Sequence, residues 1–197
     1  MYAILCGSSR KNSNTTKVGL AIKRILLESG AHESDIFLPD FTQYDIPFHN
    51  GQNLHKDQFS VFQKSVYDAM ANSDLIFVIS PEYNWFPSAE IINLINQFGN
   101  KDFAECWGKK IFATCGTSSG RGGRIPSVQL SYVLNKLVSA MDLSSVVSAK
   151  MFESQFTQKA LDPAGNSVGN TEYDIGLEKF VHYNQELTKK VLPGLMH

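Results

Sequence analysis

The sequence has few cysteines, no excess charge of either sign and no long hydrophobic run. Its three cysteines, Cys6, Cys106 and Cys115, are odd in number and unpaired in spacing, which excludes a disulfide framework or a C-x-x-C motif. His49 and His55 lack a third ligand at metal spacing, so we predict no metal site. No window approaches the roughly 20 apolar residues of a transmembrane helix. We expect a cytoplasmic protein without a membrane partner.

The charge balance and the length limit the class of protein further. Eighteen basic and nineteen acidic residues give a net charge of −1, which argues against a nucleic-acid-binding surface. A chain of 197 residues suits one domain over 1–197, because two smaller domains would each need a core. The charged fraction of 19% is below the ~25% of typical domains. We therefore expect that another subunit covers part of the surface.

Short apolar runs alternate with segments of helical periodicity along the whole chain. The strands are predicted at 2–6, 36–38, 75–79, 111–115 and 145–149. The helices are predicted at 15–28, 57–72, 89–98, 130–141 and 172–191. This alternation predicts an α/β fold, a flavodoxin-like doubly wound parallel sheet of five strands in the order 2-1-3-4-5, with helices on both faces.

In such a sheet, ligands bind beyond the carboxyl ends of the strands. The loop after the first strand, 7–16, carries hydroxyls, amides and two cations directly before a helix. Free helix N–H groups and the helix dipole favour an anion there, and Arg10 could bind phosphate oxygens. The alternative is that Ser13 or Asn14 only caps the helix.

The loop after the third strand, 80–88, contains two prolines and three aromatic residues. A stiff aromatic loop at the binding edge of the sheet suits a flat, conjugated ligand. The alternative is a hydrophobic contact with a neighbouring subunit. Both interpretations hold if Tyr83 and Asn84 face a ligand while Trp85 and Phe86 face a subunit.

The loop after the fourth strand, 114–124, has four glycines and several hydroxyls, which allow close approach of a ligand to the backbone. Within it, Ser118 stands in a G-x-S-x-G pattern, the nucleophile elbow of α/β-hydrolases. Asp162 or Asp174 followed by His182 has the chain order of a serine hydrolase triad. However, His182 lies in the middle of a helical pattern, where a solvent-facing histidine is the simpler interpretation.

Taken together, the three loops resemble those of the NADPH-dependent FMN reductase family, flavodoxin-like proteins that include flavin, quinone, azo-dye and chromate reductases. Residues 7–15 look like the family's G-S-x-R-x-x-S phosphate loop. Residues 80–84 match its [ST]-P-E-Y-N flavin loop, and 118–123 are similar to its glycine-rich third loop. One such loop would be weak evidence, but three in order at strand ends are strong.

The resemblance implies a set of FMN-binding residues. The phosphate would be held by Ser8, Arg10, Ser13, Asn14 and Thr15. One side of the isoalloxazine ring would be lined by Pro81, Glu82, Tyr83 and Asn84. The polar edge of the ring would be approached by Thr117, Ser118 and Gly120. Tyr83 and Arg121 are candidates for contact with the substrate.

The resemblance also implies an activity. Hydride would pass from NAD(P)H to flavin N5, and the same face would then reduce a small-molecule acceptor in a ping-pong cycle. No protein acid or base is obligatory, since FMN carries the chemistry. The implied assembly is a homodimer or homotetramer, with segment 85–98 as a contact.

Two features leave alternatives open. The family usually continues P-E-Y-N-x-S-x-P-G, whereas Trp85-Phe86-Pro87 follows here and the glycine is absent. Trp85 and Phe86 would narrow the space over the flavin. The main alternative function is a non-catalytic flavodoxin-type electron carrier or flavin-binding module, although such carriers tend to be strongly acidic and this chain is nearly neutral.

Overall fold

A parallel sheet of six strands forms the centre of the computed structural model, which describes residues 1–195. The strands are β1 (Tyr2–Cys6), β2 (Ile36–Phe37), β3 (Leu75–Pro81), β4 (Ile111–Thr117), β5 (Val146–Val147) and β6 (Phe152–Ser154). Their order is β2-β1-β3-β4-β5, and β6 also pairs with β4. The predicted fold class and strand order are therefore confirmed.

The edge of the sheet beside β4 is shared by two short strands. β5 pairs with Ile111 and Phe112 at the start of β4, and β6 pairs with 115–117 at its end. Strand β6 was not predicted, because its three residues, centred on Glu153, form no apolar run. Strand β5, predicted over 145–149, is only two residues long in the structure.

Five α-helices cover the two faces of the sheet. They are α1 (Asn14–Glu28), α2 (Val61–Asn72), α3 (Ala89–Phe98), α4 (Arg124–Ala140) and α5 (Thr171–Leu195). Helices α1 and α5 pack on one face against Ile4, Phe77 and Ala113. Helices α2, α3 and α4 pack on the other face against Leu5 and Val78. Successive residues of the central strands thus point to opposite faces, as the two-residue period of a strand requires.

The predicted start of the second helix is wrong by four residues. Phe59 is in phase with the apolar face of α2, but Ser60 caps the helix and forms a capping box with Gln63. Phe59 instead packs outside the helix, with its ring stacked on Phe103 at a centroid distance of 5.9 Å. Residues 40–55 are mostly irregular, as predicted, with one short 3₁₀ turn at Phe41–Gln43.

No helix within residues 1–195 combines the length and the apolar character that crossing a membrane would require.

Candidate active site

Three loops at the carboxyl ends of β1, β3 and β4 surround a cavity of about 220 Å³. Nine of the twelve predicted site residues line it, namely Ser8, Arg10, Ser13, Asn14, Pro81, Glu82, Tyr83, Thr117 and Ser118. The sheet order brings these loops together, because β1, β3 and β4 are adjacent and parallel.

The other three predicted site residues lie outside the lining. Thr15 is fully buried, and its hydroxyl is 2.7 Å from Ser13 Oγ. Asn84 is exposed in the turn after β3. Gly120 lies further along the third loop, where its carbonyl accepts a hydrogen bond from the Phe156 N–H. Their part in ligand binding remains a prediction.

The first loop forms an anion-binding backbone. Ser13 caps α1 by accepting the Thr16 N–H at 3.1 Å, so the capping interpretation is correct for this serine. Even so, within the described chain the five backbone N–H groups of 11–15 donate to no protein acceptor. Asn12 has a φ of 54°, and a left-handed residue in such a loop turns successive N–H groups towards one point. The loop can therefore hold a phosphate.

Arg10 and Ser8 both contact Tyr83 of the second loop. The guanidinium carbon of Arg10 is 4.7 Å from the centroid of the tyrosine ring. The hydroxyl of Tyr83 lies 3.0 Å from Ser8 Oγ. These contacts join the first and second loops at the wall of the cavity, and they keep a positive charge beside the free N–H groups.

The second loop is a two-residue hairpin turn. Tyr83 and Phe86 exchange both backbone hydrogen bonds at 3.0 Å, and the two central residues, Asn84 and Trp85, have φ values of 48° and 66°. Positive φ at both central positions defines a type I′ turn, which suits asparagine but strains tryptophan. The turn leaves the side chains of Trp85 and Phe86 66% and 63% exposed.

The end of β4 carries a buried hydroxyl that lacks a partner. Thr117, the last residue of β4, is 1% exposed and belongs to the lining of the cavity, and no group in residues 1–195 hydrogen-bonds its Oγ1. A buried polar atom without a partner costs free energy, so a polar ligand atom that reached this hydroxyl would be stabilised. Free N–H groups, a cation and an unpartnered hydroxyl fit the phosphate and polar chain of a nucleotide-like cofactor such as FMN.

Four residues at the site were not predicted from the sequence. Lys11, Asn12 and Ser119 also line the cavity; the first two occupy unspecified positions of the phosphate-loop motif. Asn14 Nδ2 donates to Ser119 Oγ at 3.3 Å and to Gln158 Oε1 at 3.5 Å. Gln158 thus connects the first and third loops, although no motif surrounds it.

The hydrolase alternative has no geometric support. His182 Nε2 is 3.1 Å from Ser29 Oγ at the end of α1, and no histidine of residues 1–195 lines the cavity. Asp162 accepts hydrogen bonds from Asn166, and Asp174 accepts one from Ser167. Neither carboxylate therefore orients His182, and no triad forms around the glycine-rich loop.

The thiols at this edge of the sheet are not nucleophiles. Burial raises the pKa of the Cys6 thiol to about 12, and it raises the pKa of the Cys115 thiol far above its usual value. Both remain protonated at neutral pH, which leaves them as small core residues.

Both the sequence and the fold of the chain are similar to those of known proteins. Residues 2–154 match the sequence model of the family described as NADPH-dependent FMN reductase. No curated protein sequence matches the chain significantly.

Several solved structures share the fold at low sequence identity. FerB, a flavoenzyme NAD(P)H:(acceptor) oxidoreductase from Paracoccus denitrificans, is 20% identical with a TM-score of 0.68, covering 96% of this chain and 97% of FerB. A flavodoxin from the domain Archaea is 13% identical with a TM-score of 0.57, covering 97% and 99% of the two chains. The apo form of the NADH:FMN oxidoreductase EMOB is 17% identical with a TM-score of 0.52, covering 93% and 89%.

Proposed function

Because the chain belongs to the NADPH-dependent FMN reductase family, we propose that it reduces a small quinone, azo or flavin acceptor in a ping-pong cycle. Family membership gives the coarser function, an oxidoreductase with FMN as cofactor and NAD(P)H as reductant. When bound, FMN supplies a centre that takes a hydride equivalent from the nicotinamide and delivers it to the acceptor. The chain itself binds and orients these partners.

The proposal is supported above all by the set of unsatisfied donors at the cavity and at the start of α1 beside it. The N–H groups of 11–15 and the Thr117 hydroxyl lack protein partners within the described chain, and Arg10 stands beside them. Five side chains would surround the phosphate, namely Ser8, Arg10, Ser13, Asn14 and Thr15. Helix N-termini with free N–H groups are common phosphate sites.

The remaining predicted site residues would contact the ring. One side of it would be lined by Pro81, Glu82, Tyr83 and Asn84, and its polar edge by Thr117, Ser118 and Gly120. The cavity of about 220 Å³ is smaller than the roughly 300–1,000 Å³ of pockets that enclose a drug-sized ligand. We propose that it takes the phosphate end and leaves the ring accessible to NAD(P)H and acceptor in turn.

We also propose a homodimer or homotetramer. Within segment 85–98, the apolar residues of α3, such as Ile91, Leu94 and Phe98, are buried in the chain's own core. Trp85 and Phe86 are exposed, so the contact between subunits would be made by these two rings.

The test is to purify the chain with and without added FMN and to follow flavin bleaching by stopped flow with NADH and NADPH. A yellow protein that is bleached by one nucleotide and reoxidised by a quinone, azo dye or flavin supports the proposal. Parallel lines in double-reciprocal plots of initial rate against nucleotide concentration, at several acceptor concentrations, support the ping-pong order. A colourless protein that neither binds FMN nor oxidises NAD(P)H would contradict it. A yellow protein without steady-state NAD(P)H oxidation would favour the electron carrier.

A further inference from the structure

A single carboxylate connects the second and third loops. Glu82 Oε2 accepts a hydrogen bond from the Gly123 N–H at 2.5 Å. The backbone N–H of Glu82 donates to the carbonyl of Thr117 at 2.8 Å. The same residue is therefore bonded to both ends of segment 117–123, which forms one wall of the cavity.

The glycines of the third loop pack closely around this carboxylate. A Cβ atom on Gly122 would lie 2.8 Å from Glu82 Oε1 and 2.8 Å from Ser118 Oγ. A Cβ atom on Gly116 would overlap the carbonyl oxygen of Gly123, so these two backbones are in contact. The segment is thus a closed loop whose two ends meet beside the carboxylate.

The bond to Glu82 also lies at the start of α4. Gly123 is the N-cap of α4, has a φ of 93° and supplies no side-chain cap of its own. A carboxylate at a helix N-terminus is favoured by the helix dipole, and hydrogen bonds to a charged acceptor are among the strong ones. From the loop after β3, Glu82 therefore places a carboxylate at the N-terminus of α4, bonded to the N–H of the N-cap glycine.

We propose that Glu82 is a positioning residue of the site. Its carboxylate holds segment 117–123, which carries Ser118 and Ser119 in the cavity lining, and this effect on the ligand passes through the loop, in addition to the place that Glu82 itself has in the lining. The proposal rests on the proposed function, since it takes the cavity to be the FMN site.

The experiment compares Glu82→Ala and Glu82→Gln with the matched control Glu153→Ala. Glu153 is also a carboxylate beside α4, 3.8 Å from Arg124, and it lies outside the cavity lining. The two readouts are amide hydrogen exchange across 117–123 in the FMN-free protein and the FMN dissociation constant from flavin fluorescence. Circular dichroism checks that each variant is folded.

Glu82→Ala is expected to speed exchange at Gly123 and to weaken FMN binding, each by roughly tenfold or more, as loss of a hydrogen bond to a charged group implies. Glu82→Gln keeps an acceptor oxygen but loses the charge, so both changes should be smaller than in Glu82→Ala. Glu153→Ala should change neither readout. Gly122→Ala displaces the Glu82 carboxylate without removing it, so it should also speed exchange at Gly123 and weaken FMN binding. If Glu82→Ala does not fold, Gly122→Ala is measured in its place.

The outcomes separate the two proposals. Unchanged exchange at Gly123 in Glu82→Ala would show that the carboxylate does not hold the loop. Faster exchange with an unchanged FMN dissociation constant would overturn the positioning role. If the unsubstituted protein binds no FMN, the proposed function fails, and so does the positioning role that rests on it.

Discussion

The guanidinium of Arg10 lies over the ring of Tyr83, at 4.7 Å from the ring centroid. The salt bridges among residues 1–195 do not include this arginine. A cation–π contact at an exposed site contributes only about 0.5–1 kcal/mol. It orients the side chain without neutralising it, so the charge of Arg10 stays available to an anion bound at the first loop.

Removing this charge should weaken FMN binding. We expect Arg10→Ala to raise the FMN dissociation constant by roughly ten- to a hundredfold, because a charge-assisted hydrogen bond to phosphate is lost. Lys64→Ala is the control, since Lys64 is an exposed cation on α2 that pairs with Asp68. Fluorescence titration measures both, and equal affinities would remove the phosphate role of Arg10.

Ser88 should be important for stability. It is fully buried, donates to the Gly7 carbonyl at 2.5 Å and accepts the Ile91 N–H at 3.4 Å as the cap of α3. Ser88→Ala removes both bonds, so we expect the free energy of unfolding in urea to fall by about 1–3 kcal/mol. Ser139→Ala, at an exposed position of α4, should change it by less than about 0.5 kcal/mol. Equal effects of the two substitutions would contradict the role of Ser88.

The buried Cys106 should make stability fall at alkaline pH. Burial raises its pKa from 9.0 to about 12, so the unfolded chain loses this proton first as the pH rises. The stability from this thiol is complete below pH 9 and is lost progressively between pH 9 and 12. The free energy of unfolding is measured at pH 8 and at pH 10 for each protein. Its decrease between the two pH values should be about 1 kcal/mol smaller in Cys106→Ala than in the unsubstituted protein, because the variant lacks this thiol. Comparing each protein with itself removes the cost of the cavity, and identical losses would refute the prediction.

The ring of Trp85 should contribute to self-association, while the left-handed backbone conformation of this residue lowers the stability of the monomer. Trp85→Gly relieves a left-handed backbone position, so we expect the unfolding free energy of the monomer to rise by about 0.5–1 kcal/mol while association weakens. Trp85→Ala removes the ring but leaves the strain, so it should weaken association without the same gain. Light scattering and urea unfolding measure the two effects. Association that both variants leave unchanged would exclude the ring from the interface.

The sheet could be predicted because its central strands are continuous apolar runs, such as 75–79, that are covered on both faces. Strand β6 could not be predicted, since its place depends on pairing with β4 and not on its own residues. The start of α2 was missed because Phe59 continues the helical periodicity, whereas the capping box at Ser60 decides where the helix begins.

The site was predictable where motifs are local. The phosphate loop, the P-E-Y-N segment and the glycine-rich loop each lie within a few residues of a strand end, which brought nine predicted residues to one cavity. Contacts between distant residues, such as Glu82 with Gly123 and Asn14 with Gln158, carry no local pattern. They depend on how the loops fold over the completed sheet.

All three cysteines are buried, at 3% exposure or less, and this has a practical consequence for spectroscopy. The folded chain offers no native thiol to a maleimide reagent, so a cysteine introduced by Phe86→Cys could be labelled selectively without first removing the others. A fluorophore attached there would sit at the tip of the hairpin beside the cavity. Its anisotropy would report ligand entry and subunit contact in real time.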